Sequence, residues 1–171
     1  MQNWLKAINP TAPITTEAEA LRAARASAIG VAIGAVVGAV AVVQMIVRKD
    51  EIAAAAAAAA ANDPMAAGMV GTMTQVMLYF AIGLVVIQAI LAFVQWAKPN
   101  IIIPILFAVL IVGGLLLQLL PSPVEKPPLD VLKVVLTYGI AAIQLLLHTA
   151  GIRGASKLDK IRFAEANRED Y

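Results

Sequence analysis

Apolar positions in this chain fall in long blocks separated by short polar clusters, and they do not alternate. The blocks cover residues 28–47, about 66–97, 101–120 and 129–150. A hydrocarbon core of roughly 30 Å is crossed by about twenty helical residues. The pattern therefore predicts four membrane spans. The second block is longer than a bilayer requires. Counting back about twenty residues from Trp96 places its outer boundary near Met77, so the predicted spans are 28–47, 77–97, 101–120 and 129–150. The expected fold class is an all-α membrane protein: four transmembrane helices with an extramembrane helical hairpin between spans 1 and 2.

Local signals refine the elements. In residues 1–8, Trp4, Leu5 and Ile8 can share one side of a short interfacial helix, with the tryptophan at headgroup level. Pro10 and Pro13 break regularity. Thr16 and Glu19 fit a capping box, so a helix is expected to start at Glu17 and run into the first span. That span ends at Arg48-Lys49-Asp50-Glu51, and nine alanines follow, 53–61, in a composition that favours helix. Asn62-Asp63-Pro64 reads as a stop and restart, with Asp63 as N-cap and Pro64 at the first helical position. The outward hairpin is placed at 48–76, reaching roughly 20 Å past the lipid. Its arms could pack closely through alanine on one side and Gly68 and Gly71 on the other. Lys98-Pro99-Asn100 is a very short connection, Pro104 is tolerated in a first turn, and 121–128 is a proline-rich external turn. Gly151-Ile152-Arg153-Gly154 is expected to end the fourth span, with Ser156 and Asp159 capping a last short helix. The organisation is thus a cytoplasmic amphipathic segment (1–27), a membrane domain (28–150) and a cytoplasmic amphipathic tail (151–171).

Composition agrees with the pattern: of 171 residues, 61% are hydrophobic and only 14% charged, against about 45–50% and 25% in soluble domains. The run after Arg22 and Arg25 is longer than the roughly 7–15 apolar residues of a secretory signal, so it is expected to be a permanent anchor. Net charge is +2, which gives no basic footprint for nucleic acid. The absence of cysteine excludes disulfides, iron–sulfur clusters and thiolate sites. Lys6, Arg22, Arg25, Lys98, Arg153, Lys157, Lys160, Arg162 and Arg168 fall on one side of a four-span topology. Arg48, Lys49, Lys126 and Lys133 fall on the other. Nine against four predicts both termini in the cytoplasm, and the expected location is a bacterial inner membrane.

Candidate functional residues are few. Gly30, Gly34 and Gly38, spaced by four, form a glycine-zipper face suited to close helix packing, extended by Ala26. Thr74, Ala81, Gln88 and Gln95 share a face of the second span, and Asp130, Lys133, Thr137, Ala141, Gln144, His148 and Gly151 a face of the fourth. Buried amides are costly in lipid, so these residues are expected to face inward as a polar interior. The sharper roles lack partners. Proton-coupled transport needs intramembrane acids, and the acids here lie in loops, tails or, for Asp130, at a span edge. Small multidrug exporters share the four-span count, but this chain lacks their membrane-embedded glutamate. With one histidine, haem held by two histidines fails within one chain, leaving only a haem shared across a dimer through His148.

Met65, Met69, Met73 and Met77 form a stripe of soft thioethers, the ligand type that favours Cu(I). A methionine pair spaced by four beside a spaced-glycine helix resembles eukaryotic copper transporters of the Ctr type, which have three spans and assemble as trimers. A step of four drifts about 40° around a helix, so these sulfurs spiral, and the expected role is gap-filling beside the alanine arm. Met69, Met73 and Met77 stay weak copper candidates. No cofactor and no catalytic residue are predicted. The expected function is a non-catalytic accessory subunit or scaffold, packing with other membrane subunits or as a homo-oligomer. The alternative is a small transporter or channel with a glutamine-lined interior.

Overall fold

A computed structural model describes residues 2–59, 64–120 and 131–169. Among them every regular element is a helix: α1 (Gln2–Ile8), α2 (Glu17–Val47), α3 (Lys49–Ala59), α4 (Pro64–Ala97), α5 (Ile102–Leu117) and α6 (Val131–Glu169). Three helices are long and apolar enough to cross a membrane: Glu17–Val47, Met69–Ala97 and Val131–Arg168. The third predicted span is shorter than expected. α5 has 16 residues, about 24 Å at 1.5 Å per residue, and it closes in tight turns with Leu119 N–H on the Leu116 carbonyl at 3.0 Å. Of the expected stop and restart at 62–64, residues 62 and 63 lie outside the described residues, as does the expected turn at 121–128.

The capping box forms as the sequence predicts. Thr16 Oγ1 accepts from the Glu19 N–H at 3.2 Å, and Glu19 Oε2 accepts from the Thr16 N–H at 3.3 Å. Glu19 also accepts from the Thr15 N–H and hydroxyl, both at 2.9 Å, and pairs with Lys6 of α1. The Lys6 ammonium, reinforced by the Thr15 donors, holds the Glu19 carboxyl at about 2 against an ordinary 4.5. A carboxyl whose pKa falls on folding stabilises the folded state above its unfolded value, and that stability is lost as pH drops through the folded value. The α1–α2 junction is therefore expected to loosen between about pH 4.5 and pH 2. Thermal unfolding of wild type and Glu19→Gln across that window checks this: the wild type loses stability on acidification and the variant shows a flatter profile. Equal slopes would remove the role given to Glu19.

The chain forms two compact units, one of residues 1–32 with 91–171 and one of residues 33–90. In the first unit, Asn100 sets the start of α5. Its Oδ1 accepts from the Ile102 and Ile103 N–H groups at 3.0 Å each, satisfying donors that a first helical turn leaves free. Pro104 follows, buried in that turn, where its missing N–H costs nothing. Val31, Ile103 and Phe107 form a small apolar core, flanked by Leu91 and Ala92.

α6 departs from expectation. The helix does not stop at Gly151-Ile152-Arg153-Gly154 but runs as 39 residues to Glu169, and among the described residues no glycine has positive φ. The physical reason is packing. A Cβ on Gly151 would collide with the Ser27 side chain, and one on Gly154 would collide with the backbone of Ala23 and Ala24. These glycines let two helices touch instead of capping one.

In the second unit, α2 and α3 are nearly one helix. The Arg48 N–H reaches the Gln44 carbonyl at 3.0 Å, and the Ile52 N–H reaches Arg48 at 2.9 Å, across a one-residue break. The polar cluster predicted to interrupt the helix does so here. α4 lies against this rod. The Cβ position of Gly38 falls 2.9 Å from Val85 Cγ2, and a cavity of about 320 Å³ is lined by Lys49 and Ala53 of α3 with Gly71 and Thr74 of α4.

Candidate functional site

Three of the polar residues singled out in the second and fourth predicted spans, Gln95, Gln144 and His148, converge on α2 in the first unit. α2 presents small residues at steps of three and four: Ala20, Ala23, Ala24, Ser27, Ala28 and Val31 are all buried. α6 runs antiparallel to them. Arg162 pairs with Glu17 at 3.0 Å, Gly154 meets Ala23 and Ala24, Gly151 meets Ser27, and Leu147 and His148 meet Gly30. Backbones this close expose carbonyls to side chains of the facing helix.

Three polar side chains bond to α2 here, two through its carbonyls and one through a hydroxyl. Gln144 Nε2 donates to the Gly30 carbonyl at 3.1 Å. His148 Nδ1 and Ser27 Oγ share a hydrogen bond at 3.1 Å, and both residues are fully buried. The imidazole stacks on Phe107, with ring centroids 5.8 Å apart, and its Nε2 has no hydrogen-bond partner. Gln95, also fully buried, donates to the Ala24 carbonyl at 3.3 Å and the Asn100 carbonyl at 3.1 Å, and accepts from the Asn100 N–H at 3.3 Å. Among the described residues, no three His, Asp or Glu side chains gather as a metal site.

The glycines of the first span have separate neighbours. At Gly30 a Cβ would lie 3.2 Å from His148 Cε1 and Nε2 and 3.3 Å from Leu147 Cβ. Gly34 is half-buried, and Gly38 faces Val85 within the second unit. Gln88, also in that unit, has a buried Oε1 without a hydrogen-bond partner. Thr74 turns back on its own helix, bonding the Val70 carbonyl at 2.9 Å.

The methionine stripe is placed differently from its expected packing. Met65 is 79% exposed, and Met69, Met73 and Met77 are 54%, 55% and 61% exposed. Gly71 has no heavy atom within 4 Å of its Cβ position. α4 therefore presents these side chains outward.

The pairing of Gly151 and Gly154 with the Ala20-to-Ser27 stretch is what sequence reasoning missed. Its signal was available in small residues recurring at helical spacing on both helices, masked because glycine near an apolar helix end reads as a cap. Comparisons with protein-family models, with curated proteins and with solved structures found no match.

Proposed function

We propose that the chain is a non-catalytic integral membrane subunit or scaffold, with four spans, an outward hairpin at 48–76 and both termini cytoplasmic in a bacterial inner membrane. The observation that carries this is the length and surface of α4. Its 34 residues make about 51 Å, some 20 Å more than a hydrocarbon core. The excess, at its N-terminal end, carries the exposed Met65, Met69, Met73 and Val76. An apolar helix end that outruns the lipid calls for a protein neighbour, either another subunit or a second copy. The polar side chains of the first unit favour the same reading. Gln95, Gln144 and His148 are engaged in holding α2, α6 and the 98–100 connection together.

Extraction in mild detergent followed by size-exclusion with light scattering tests this. The chain is expected in a complex or homo-oligomer, and Met69→Lys with Met73→Lys is expected to release it. A wild-type protein that purifies alone and monomeric would end the proposal.

Transport through a glutamine-lined interior is the second reading, favoured by the buried, unpartnered Gln88 Oε1. Flux into liposomes that is lost in both Gln88→Leu and Gln144→Leu would support it. Flux identical to wild type in both variants would remove the glutamines from any path.

A further inference from the structure

We propose that a basic pocket between the 9–14 segment and α6 binds the phosphate of an anionic phospholipid headgroup. The pocket, about 290 Å³, is lined by Ile14, Arg153, Ser156, Lys157 and Lys160. Arg153, Lys157 and Lys160 are separated by four and three residues, which places them on one face of α6. Ser156 adds a hydroxyl donor between them. Among the described residues, no carboxylate lines this space. Of the acids on neighbouring elements, Glu17 is paired with Arg162 and Glu19 with Lys6, and Asp159 lies outside the lining.

Arg153 builds the site as well as charging it. Its Nη1 donates to the Asn9 carbonyl at 3.0 Å and its Nη2 to the Ala12 carbonyl at 2.9 Å. Neutral carbonyls satisfy those donors without cancelling the charge. They tie the proline-bearing segment against α6 and bring Ile14 in as an apolar wall. Lys157 and Lys160 are exposed, so their ammonium groups can swing onto a bound oxyanion. The result is one fixed cation, two mobile ones, a hydroxyl and an apolar side, which suits a phosphodiester attached to acyl chains.

The depth of the pocket supplies the source of the phosphate. Trp4 and Trp96 stack with ring centroids 6.1 Å apart, and Arg25 lies 5.3 Å from the Trp96 ring centroid while its Nε donates to the Trp96 carbonyl at 3.0 Å. Tryptophan with arginine marks the headgroup level. Gly154 packs on Ala23 and Ala24, directly before Arg25, so Arg153 stands at the same level. Basic pockets at that level on the cytoplasmic face take anionic lipid headgroups. The inference rests on the chain residing in a bilayer, and not on whether it serves as a subunit. Retention in carbonate-washed membranes tests the bilayer placement separately.

Native mass spectrometry of the full chain in mild detergent, titrated with phosphatidylglycerol, phosphatidylcholine or inorganic phosphate, tests the pocket. Phosphatidylglycerol is expected to bind in preference to phosphatidylcholine. Lys157→Gln with Lys160→Gln is expected to weaken it by about 25-fold, at roughly fivefold for each basic residue near the surface. Lys157→Arg with Lys160→Arg is expected to retain binding, as is Arg48→Gln with Lys49→Gln, which removes equal charge from the other unit. Equal binding of phosphatidylcholine would overturn the proposal. So would equal loss in both glutamine variants, or undiminished binding in Lys157→Gln with Lys160→Gln. Saturation by inorganic phosphate in place of lipid would assign the pocket to a soluble anion and overturn the lipid source.

Discussion

Replacing Gly154 with alanine is expected to lower the thermal midpoint of the detergent-solubilised protein by about 6–12 °C. The methyl group it adds would meet the Ala24 amide nitrogen, the Ala23 carbonyl carbon and the Ala23 Cβ. Two of those three atoms are backbone, which cannot rotate aside, so the helices must separate. Overpacking costs about 1–3 kcal/mol where side chains can yield. A backbone obstacle belongs at the upper end, about 3 kcal/mol, which at about 2–4 °C per kcal/mol gives the stated shift. Separation at Gly154 also strains its neighbours. Ser27 lies against Gly151 one turn away and shares its hydroxyl with His148, so the cost includes weakened buried hydrogen bonds. Gly139 supplies the control. It stands on the same helix with nothing within 4 Å of its Cβ position, and alanine there gains up to about 1 kcal/mol of helix propensity. Circular-dichroism melting of both variants decides the matter. A Gly154→Ala protein as stable as Gly139→Ala would mean that the two helices do not meet at this register.

The contrast between those two glycines also marks how far the fold is legible in the sequence. Features set by adjacent residues can be read directly. The Thr16–Glu19 box fixes the start of α2, the Arg48-to-Glu51 cluster marks its break, and three of the four predicted blocks form helices long and apolar enough to span a membrane. Features set by distant residues cannot. Nothing near Gly151 or Gly154 says whether a glycine ends a helix or admits another backbone, because that depends on Ala23, Ala24 and Ser27, more than a hundred residues earlier. Arg153 is similar: its partners, the Asn9 and Ala12 carbonyls, are 144 and 141 residues away and belong to main chain, which leaves no trace in residue type. The glutamines fall between these cases. Their periodicity puts Gln88 and Gln95 on one face of α4 and Gln144 on one face of α6, but does not say what they bond. Gln144 finds a carbonyl uncovered by Gly30, and Gln95 turns partly to its own following loop.

Gln95 and Gln88 are therefore expected to respond in opposite directions to the same change. Gln95→Leu keeps the approximate volume and removes every polar contact. The Asn100 N–H loses its acceptor, and the Asn100 and Ala24 carbonyls lose a donor. Stranding partners in a buried site costs about 1–3 kcal/mol, and three contacts at 3.1–3.3 Å place the expected loss near 2–3 kcal/mol. The damage extends to α5, because Asn100 positions its side chain over the Ile102 and Ile103 N–H groups that open that helix. Gln88 starts from the reverse condition. Its Oε1 is buried without a partner, so leucine removes an existing penalty, and the variant is expected to match wild type or gain about 1 kcal/mol. Thermal unfolding of both variants in one detergent measures the difference. Residues that merely tolerate burial would shift together, whereas divergent shifts would identify Gln95 as a joint between α2, α4 and α5. If Gln88→Leu is instead strongly destabilised, its amide oxygen has a partner in the folded protein, and water or a bound solute in the interior becomes the species to look for.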